Sequence, residues 1–185
     1  IRQQAEKIKR LIEDLNLTSK LEYDMQPLRI SNIYPVELAR QVICEFLDSN
    51  LDKKYVFEFE SEPQCETEFI RGDEVLIKRA ITNLIQNSIN HNANGCKITI
   101  SVTCSEKEIA IVVSDNGVGV SAEKLKTLNS KTHYLESTDK ALHLRHGLGV
   151  LLVLQIVEAH NGTMQILSEE QKGYETTLIF PKTKY

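Results

Sequence analysis

Glu108-Ile-Ala-Ile-Val-Val-Ser-Asp115-Asn-Gly117-Val-Gly119 runs from an apolar strand straight into a carboxylate and two glycines. Ile109 to Val113 is short, β-branched and bounded by polar residues, which reads as a buried strand. Asp-Asn-Gly after it reads as a tight turn. The same pattern also reads as a site, because a carboxylate at a strand end accepts hydrogen bonds and glycine lets a ligand approach the backbone.

Upstream, Lys97 to Thr103 is a second strand, and a polar turn joins the two as a hairpin. Asn94-Gly95 is a turn before it. Asp73 is expected to cap a helix running to about Asn90, with Ile77, Ala80, Ile81, Leu84, Ile85 and Ser88 on one face. Further back, Tyr55 to Phe59 alternates as a strand, Thr67 to Ile70 is a second short one, and Tyr34 to Leu47 is an amphipathic helix. Pro27 to Ile33 is read as a strand. Residues 1 to about 23 form one helix, with Ile1, Ala5, Ile8, Ile12 and Leu15 on a heptad seam that a lone helix leaves unpaired. Downstream, Ser121 starts a short helix, residues 128–146 lack any period, and Val150 to His160 is helical up to Asn161-Gly162. Met164 to Leu167 and Thr176 to Phe180 close as a hairpin. Strands in adjacent hairpins mixed with helices predict an α+β, two-layer sandwich: a mixed, mostly antiparallel sheet packed on helices.

The chain has 185 residues, 41% hydrophobic and 26% charged, which fits one globular domain with an appendage. No apolar run approaches the roughly 20 residues of a membrane span, and no signal segment opens the chain. It begins with Ile1, so a fragment or a processed product is expected. The net charge of -4 speaks against a nucleic-acid partner. Cys44, Cys65, Cys96 and Cys104 show neither C-x-x-C nor zinc-finger spacing. Four reduced thiols of a cytoplasmic protein are the expectation.

Three further features carry chemistry. Asn83, Asn87 and Asn90 share one helical stripe, although asparagine is a mediocre helix former. The stripe is either a solvated polar face or a set of carboxamides for a hard cation and phosphate oxygens. Arg145-His146-Gly147-Leu148-Gly149 opens a helix, whose free N–H groups suit an anion. Thr176-Thr177 are ordinary strand formers, with a hydroxyl able to reach a bound base.

In this order and spacing the motifs resemble the sensor histidine kinases of two-component systems, and more widely the superfamily of gyrase, a heat-shock chaperone and the mismatch-repair ATPases. Asn83-Leu-Ile-Gln-Asn87-Ser88 matches the N box, Asp115-Asn-Gly117-Val-Gly119 the G1 box, and Gly147-Leu148-Gly149-Val150 the G2 box. Ile8 to Leu21 resembles the end of the second dimerisation helix. The resemblance implies two parts: residues 1–25 from the dimerisation and phosphoacceptor domain, and 26–185 as the catalytic ATP-binding domain with an ATP lid at about 120–146.

It also implies roles. Asp115 would accept from the adenine amine, and Asn87 would ligate Mg²⁺, with Asn83, Asn90 and His91 lining the same site. Gly117 and Gly119 would hinge the lid. Arg145, Gly147, Leu148 and Gly149 would face the phosphates, and Thr176 the adenine; His146, beside them, is a lid contact or a plain solvent-facing histidine. The sequence departs from the family at Asn90, where a lysine is usual, and at Glu175, where a glycine is usual; Tyr134 stands in for a lid phenylalanine. None of His91, His133, His143, His146 and His160 sits in a phosphoacceptor context. The implied function is a histidine protein kinase fragment that binds ATP and Mg²⁺ and donates the γ-phosphoryl group to a histidine on the absent dimerisation domain. This chain alone would not autophosphorylate normally. The implied partners are a response-regulator receiver domain, the chain's own dimerisation domain and a second copy, in a cytoplasmic domain of a parent anchored in the bacterial membrane. The rivals are an anti-sigma-type serine kinase or other ATPase of the superfamily, and a degenerate interaction module.

Overall fold

The computed structural model describes residues 2–23, 25–49, 51–128 and 148–182. In chain order the elements are α1 (Arg2–Glu22), β1 (Ile30–Ile33), α2 (Pro35–Asp48), β2 (Tyr55–Ser61), a 3-10 turn (Pro63–Cys65), β3 (Ile70–Asp73) and α3 (Glu74–His91). Then follow β4 (Cys96–Cys104), β5 (Glu108–Asp115), α4 (Ala122–Leu128), α5 (Leu148–Ala159), β6 (Thr163–Glu169) and β7 (Gly173–Pro181).

The main sheet has the order β2-β4-β5-β7-β6. β4, β5, β7 and β6 pair antiparallel, and β2 joins β4 in parallel. The α+β sandwich with a mixed, mostly antiparallel sheet is therefore as expected. β1 and β3 form a separate antiparallel pair.

One face of the sheet carries Ile98, Ile100, Val102, Ile109, Ile111, Val113, Leu178 and Phe180, all buried. Against it lie Ile77, Ala80, Ile81, Leu84 and Ile85 of α3 and Leu152, Val153, Ile156 and Val157 of α5. Alternation on the central strands thus meets the 3.6-residue period of two helices, and one apolar layer results.

Asp73 does cap α3, its Oδ1 accepting from Val75 N at 3.1 Å and Leu76 N at 3.3 Å. Its Oδ2 accepts from Arg29 N at 2.9 Å. Its own N–H donates to Nε2 of buried His160 at 2.9 Å, while the other ring nitrogen of His160 lies 2.6 Å from the Ile156 carbonyl. Because Nε2 accepts, Nδ1 carries the proton. His160 therefore joins the end of α5 to the start of α3. At the Asn161-Gly162 stop, the left-handed residue is Asn161 (φ 56°).

α1 packs along α5, burying Thr18 and Leu21 with Leu17 partly buried. Asp14 bonds Arg79 of α3 at 2.6 Å. The packed face is not the heptad seam. Ile8, Ile12 and Leu15 are 58%, 55% and 52% exposed.

The cysteine expectation needs correction. Cys65 and Cys104 are joined as a disulfide with Cα atoms 5.7 Å apart. The parallel β2–β4 register carries the 3-10 turn after Ser61 beside the end of β4, which brings two residues 39 apart in sequence into bonding range. Only Cys44 and Cys96 are free.

Candidate functional site

β5 ends at Asp115, in register with Ile98 of β4 and Tyr174 of β7. The alternation that buries Ile109, Ile111 and Val113 turns Asp115 to the same covered face, where it is 9% exposed. A carboxylate there needs partners, and three donors supply them. Oδ2 accepts from the Ser88 hydroxyl at 2.6 Å. Oδ1 accepts from Gly117 N at 2.9 Å and from Asn92 Nδ2 at 3.2 Å. The Gly117 bond is the i to i+2 Asx turn that an Asp-Asn-Gly sequence favours.

The loop after Asp115 is stitched down on both sides. Asn92 Oδ1 accepts from Val118 N at 2.9 Å. Gln171 N donates to the Val118 carbonyl at 2.8 Å, and Val120 N to the Ser168 hydroxyl at 2.9 Å. Two glycines make this path possible. A Cβ on Gly117 would sit 1.8 Å from Asn92 Oδ1. Gly119 has φ +59°, and its Cβ would lie 2.1 Å from the Glu169 carbonyl oxygen.

A cavity of about 160 Å³ opens over Asp115. Its wall combines Asn87, His91 and Asn92 of the α3 end with Val118 to Val120, Lys124 and Leu128, and Val150 and Tyr174. An apolar cleft with one carboxylate at its floor suits a flat heterocycle bearing an N–H donor. Across the cleft, Gly149 in the first turn of α5 places its Cβ position 3.4 Å from Asn87 Oδ1. The carboxamide of Asn87 and the positive end of α5 therefore share one edge of the cavity.

Of the expected site residues, Asn87, His91, Asp115 and Gly119 line the cavity, and Gly117 and Gly149 shape it. Asn83 and Asn90 are not in its wall. Asn90 is exposed and accepts from Gln86 Nε2 at 3.1 Å. Asn83 keeps a buried Nδ2 that finds no partner among the described residues. Thr176 pairs with Val113, one step along from Asp115 on the same face; it is 1% exposed, and its hydroxyl also has no partner among the described residues. Leu148 is buried at the start of α5. Arg145, His146, Gly147 and most of the expected lid, with His133, Tyr134 and His143, lie outside the described residues.

Sequence reasoning misses Ser88 as a polar contact and misses Asn92, Lys124 and Tyr174 altogether. By its period Ser88 falls on the apolar face of α3, and Asn92 stands where a helix simply ends. Their spacing of four, one helical turn, is the available signal.

Cys96 lies beside this network, its sulfur 4.0 Å from the Ser88 carbonyl. Burial above all, and then the Asp115 charge, pushes its thiol up to about 11. Cys44 is exposed. In native protein without reductant, one thiol is expected to react promptly with an aromatic disulfide reagent, and a second only after denaturation. Four reactive thiols in the denatured chain would refute the Cys65–Cys104 bond.

A mostly antiparallel sheet covered by helices thus holds a buried carboxylate in a cavity whose edge carries Asn87 and the first turn of α5. A family model described as "Histidine kinase-, DNA gyrase B-, and HSP90-like ATPase" matches residues 72–184, and the chain belongs to this family. The sensor histidine kinase YvrG of Bacillus subtilis (strain 168) is 30% identical over 182 residues, covering 98% of this chain and 31% of that protein. The structure of the Acinetobacter baumannii histidine kinase AdeS aligns with TM-score 0.76 at 22% identity, over 98% of this chain and 82% of that one. The histidine kinase ThkA in complex with the response regulator TrrA aligns with TM-score 0.72 at 20% identity, over 98% of this chain and 49% of that one. The chain spans 31% to 48% of the length of the first curated relatives it matches. Among the described residues, no helix is long and apolar enough to cross a membrane.

Proposed function

We propose that this chain is the ATP-binding, phosphoryl-donating part of a two-component sensor histidine kinase. Residues 1–25 are then the tail of a dimerisation helix, and 26–185 the catalytic domain. The observation that carries the reading is the Asp115 carboxylate at the floor of an apolar cavity whose edge holds Asn87 and the first turn of α5.

Asp115 accepts from the amine of adenine. The buried hydroxyl of Thr176, with no partner among the described residues, suits a water or base atom beside it. The first turn of α5, at Leu148 and Gly149, offers N–H groups to the phosphates, with Arg145, His146 and Gly147 preceding it in the chain. Asn87 offers a carboxamide oxygen to Mg²⁺, and Asn83 and Asn90 sit one turn either side on the same helix. Mg²⁺ would supply positive charge to offset that of the phosphates. An imidazole nitrogen of the parent kinase attacks the γ-phosphorus, the bond to the bridging oxygen breaks, and ADP leaves. Catalysis is positioning and charge neutralisation.

The exposed Ile8, Ile12 and Leu15 favour this over a free-standing ATPase or serine kinase, because an exposed heptad face asks for a second helix. That helix belongs to the parent's own dimerisation domain and its second copy. The ThkA–TrrA complex supports a response regulator as the acceptor of the phosphoryl group.

Calorimetry with ATP, in Mg²⁺ and in EDTA, tests the reading. Saturable binding strengthened by Mg²⁺ is expected. Asn87→Ala should weaken Mg²⁺-dependent binding at least about tenfold, the low end of what losing even a residue that supports a metal ligand costs. An unchanged affinity and unchanged Mg²⁺ dependence would overturn the role of Asn87.

A further inference from the structure

Asn92 terminates α3 and is 4% exposed, and both ends of its carboxamide are engaged. Nδ2 donates to the Ser88 carbonyl at 2.8 Å and to Asp115 Oδ1 at 3.2 Å. Oδ1 accepts from Val118 N at 2.9 Å. Ser88 closes the ring by donating its hydroxyl to Asp115 Oδ2. Two segments distant in sequence meet here: the last turn of α3, and the end of β5 with the loop that follows it.

A carboxylate offers about four lone-pair sites. On Asp115 three are occupied, two on Oδ1 and one on Oδ2. One remains, on Oδ2. The plane of the group is fixed by donors on both oxygens, so no rotor freedom is left to lose on binding. A ring with one N–H donor finds one acceptor already aimed.

We infer that Asn92 is a positioning residue for nucleotide selection: its clamp on Asp115 and Val118 leaves a single free acceptor position on Asp115, and this sets the preference for a purine bearing an exocyclic amine over one without it. The inference rests on the ATP reading above. Asn92 acts through Asp115 and is not itself assigned a contact with the base. No other side chain reproduces it in place. Alanine would leave Val118 N without its acceptor and open a second acceptor position, on Oδ1, with only Gly117 N and Ser88 still holding the carboxylate, and serine or threonine would supply at most one donor where the amide gives two.

The test compares ATP with purine riboside triphosphate, which lacks the exocyclic amine, on the 185-residue chain by calorimetry in Mg²⁺. Asn92→Ala is expected to weaken ATP binding about tenfold, the scale of one charge-assisted hydrogen bond. Binding of the amine-free analogue should stay within about twofold, because it never used that bond. The selectivity ratio therefore falls towards one. A merely structural role moves both nucleotides together, and equal losses, or none, would overturn the inference. If the alanine variant does not fold, the same ratio is measured on Asn92→Thr: a fall towards one supports the clamp, and an unchanged ratio overturns it. Failure of the underlying reading looks different: wild-type protein would then bind neither nucleotide, or bind both alike, and the inference would fall with it.

Discussion

Asp115→Asn is expected to cost at least about a hundredfold in ATP affinity while leaving the fold intact. The two side chains have the same shape. In the variant the amide oxygen stays towards Gly117 N and Asn92 Nδ2, both of which donate. The new NH₂ group then falls on the Ser88 side, where the hydroxyl turns round and accepts. Every existing contact survives, and the melting temperature of the free protein should barely move. The one position left for a ligand has changed from acceptor to donor. An incoming amine meets N–H against N–H, loses a charge-assisted bond and desolvates for nothing. Calorimetric titration of both proteins decides it. An affinity retained within a few-fold would mean that Asp115 does not read the base.

Asp73→Ala should produce the largest loss of stability among single polar changes in the described core, about 3 kcal/mol. Its two oxygens satisfy three backbone N–H groups, on Val75, Leu76 and Arg29. Removing the carboxylate uncaps α3 and leaves N–H groups at a site where Asp73 itself is 6% exposed. The urea midpoint should fall by about 1.5 M. Asp73→Asn keeps the Oδ1 cap and turns an NH₂ towards Arg29 N, so it should lose about 1 kcal/mol. A midpoint unchanged in the alanine variant would mean that water replaces the cap without cost. Because α3 carries Asn87, Ser88 and Asn92 at its far end, this cap holds the polar end of the helix in place from some distance away.

Periodicity carries most of the fold. The α3 face, the β4–β5 hairpin and the stop of α5 at Asn161-Gly162 follow from spacing and turn chemistry alone. Boundaries drift where flanking residues are polar but still paired: β2 runs to Ser61 and β7 from Gly173 to Pro181, because ladder hydrogen bonds ignore side-chain polarity. β1 is shorter than expected, starting at Ile30, and β3 lies later, over Ile70–Asp73. Three things are not legible. The parallel docking of β2 on β4 depends on a crossover through α3, and so does the pairing of Cys65 with Cys104. The packed stripe of α1 is Leu17, Thr18 and Leu21, while the more regular heptad stripe stays outside; a hydrophobic period says that a face will be covered, not by what. In the site, Asp115, Asn87 and the glycines stand out because their sequence context is odd. Ser88 and Asn92 look like ordinary helix residues, and only the tertiary meeting of α3 with β5 turns them into partners of the carboxylate.

The placement of Asp115 has a consequence for how this chain can change over evolutionary time. Its inward direction is inherited from the parity of β5: Ile109, Ile111, Val113 and Asp115 share a side. A one-residue insertion within that strand would send the carboxylate to the other face of the sheet and bring Ser114 into its place. A two-residue change would keep the carboxylate on the same face. Length variation in β5 is therefore expected to survive selection in even steps, whereas the turn at Ser105 to Lys107, outside the ladder, can vary by any number.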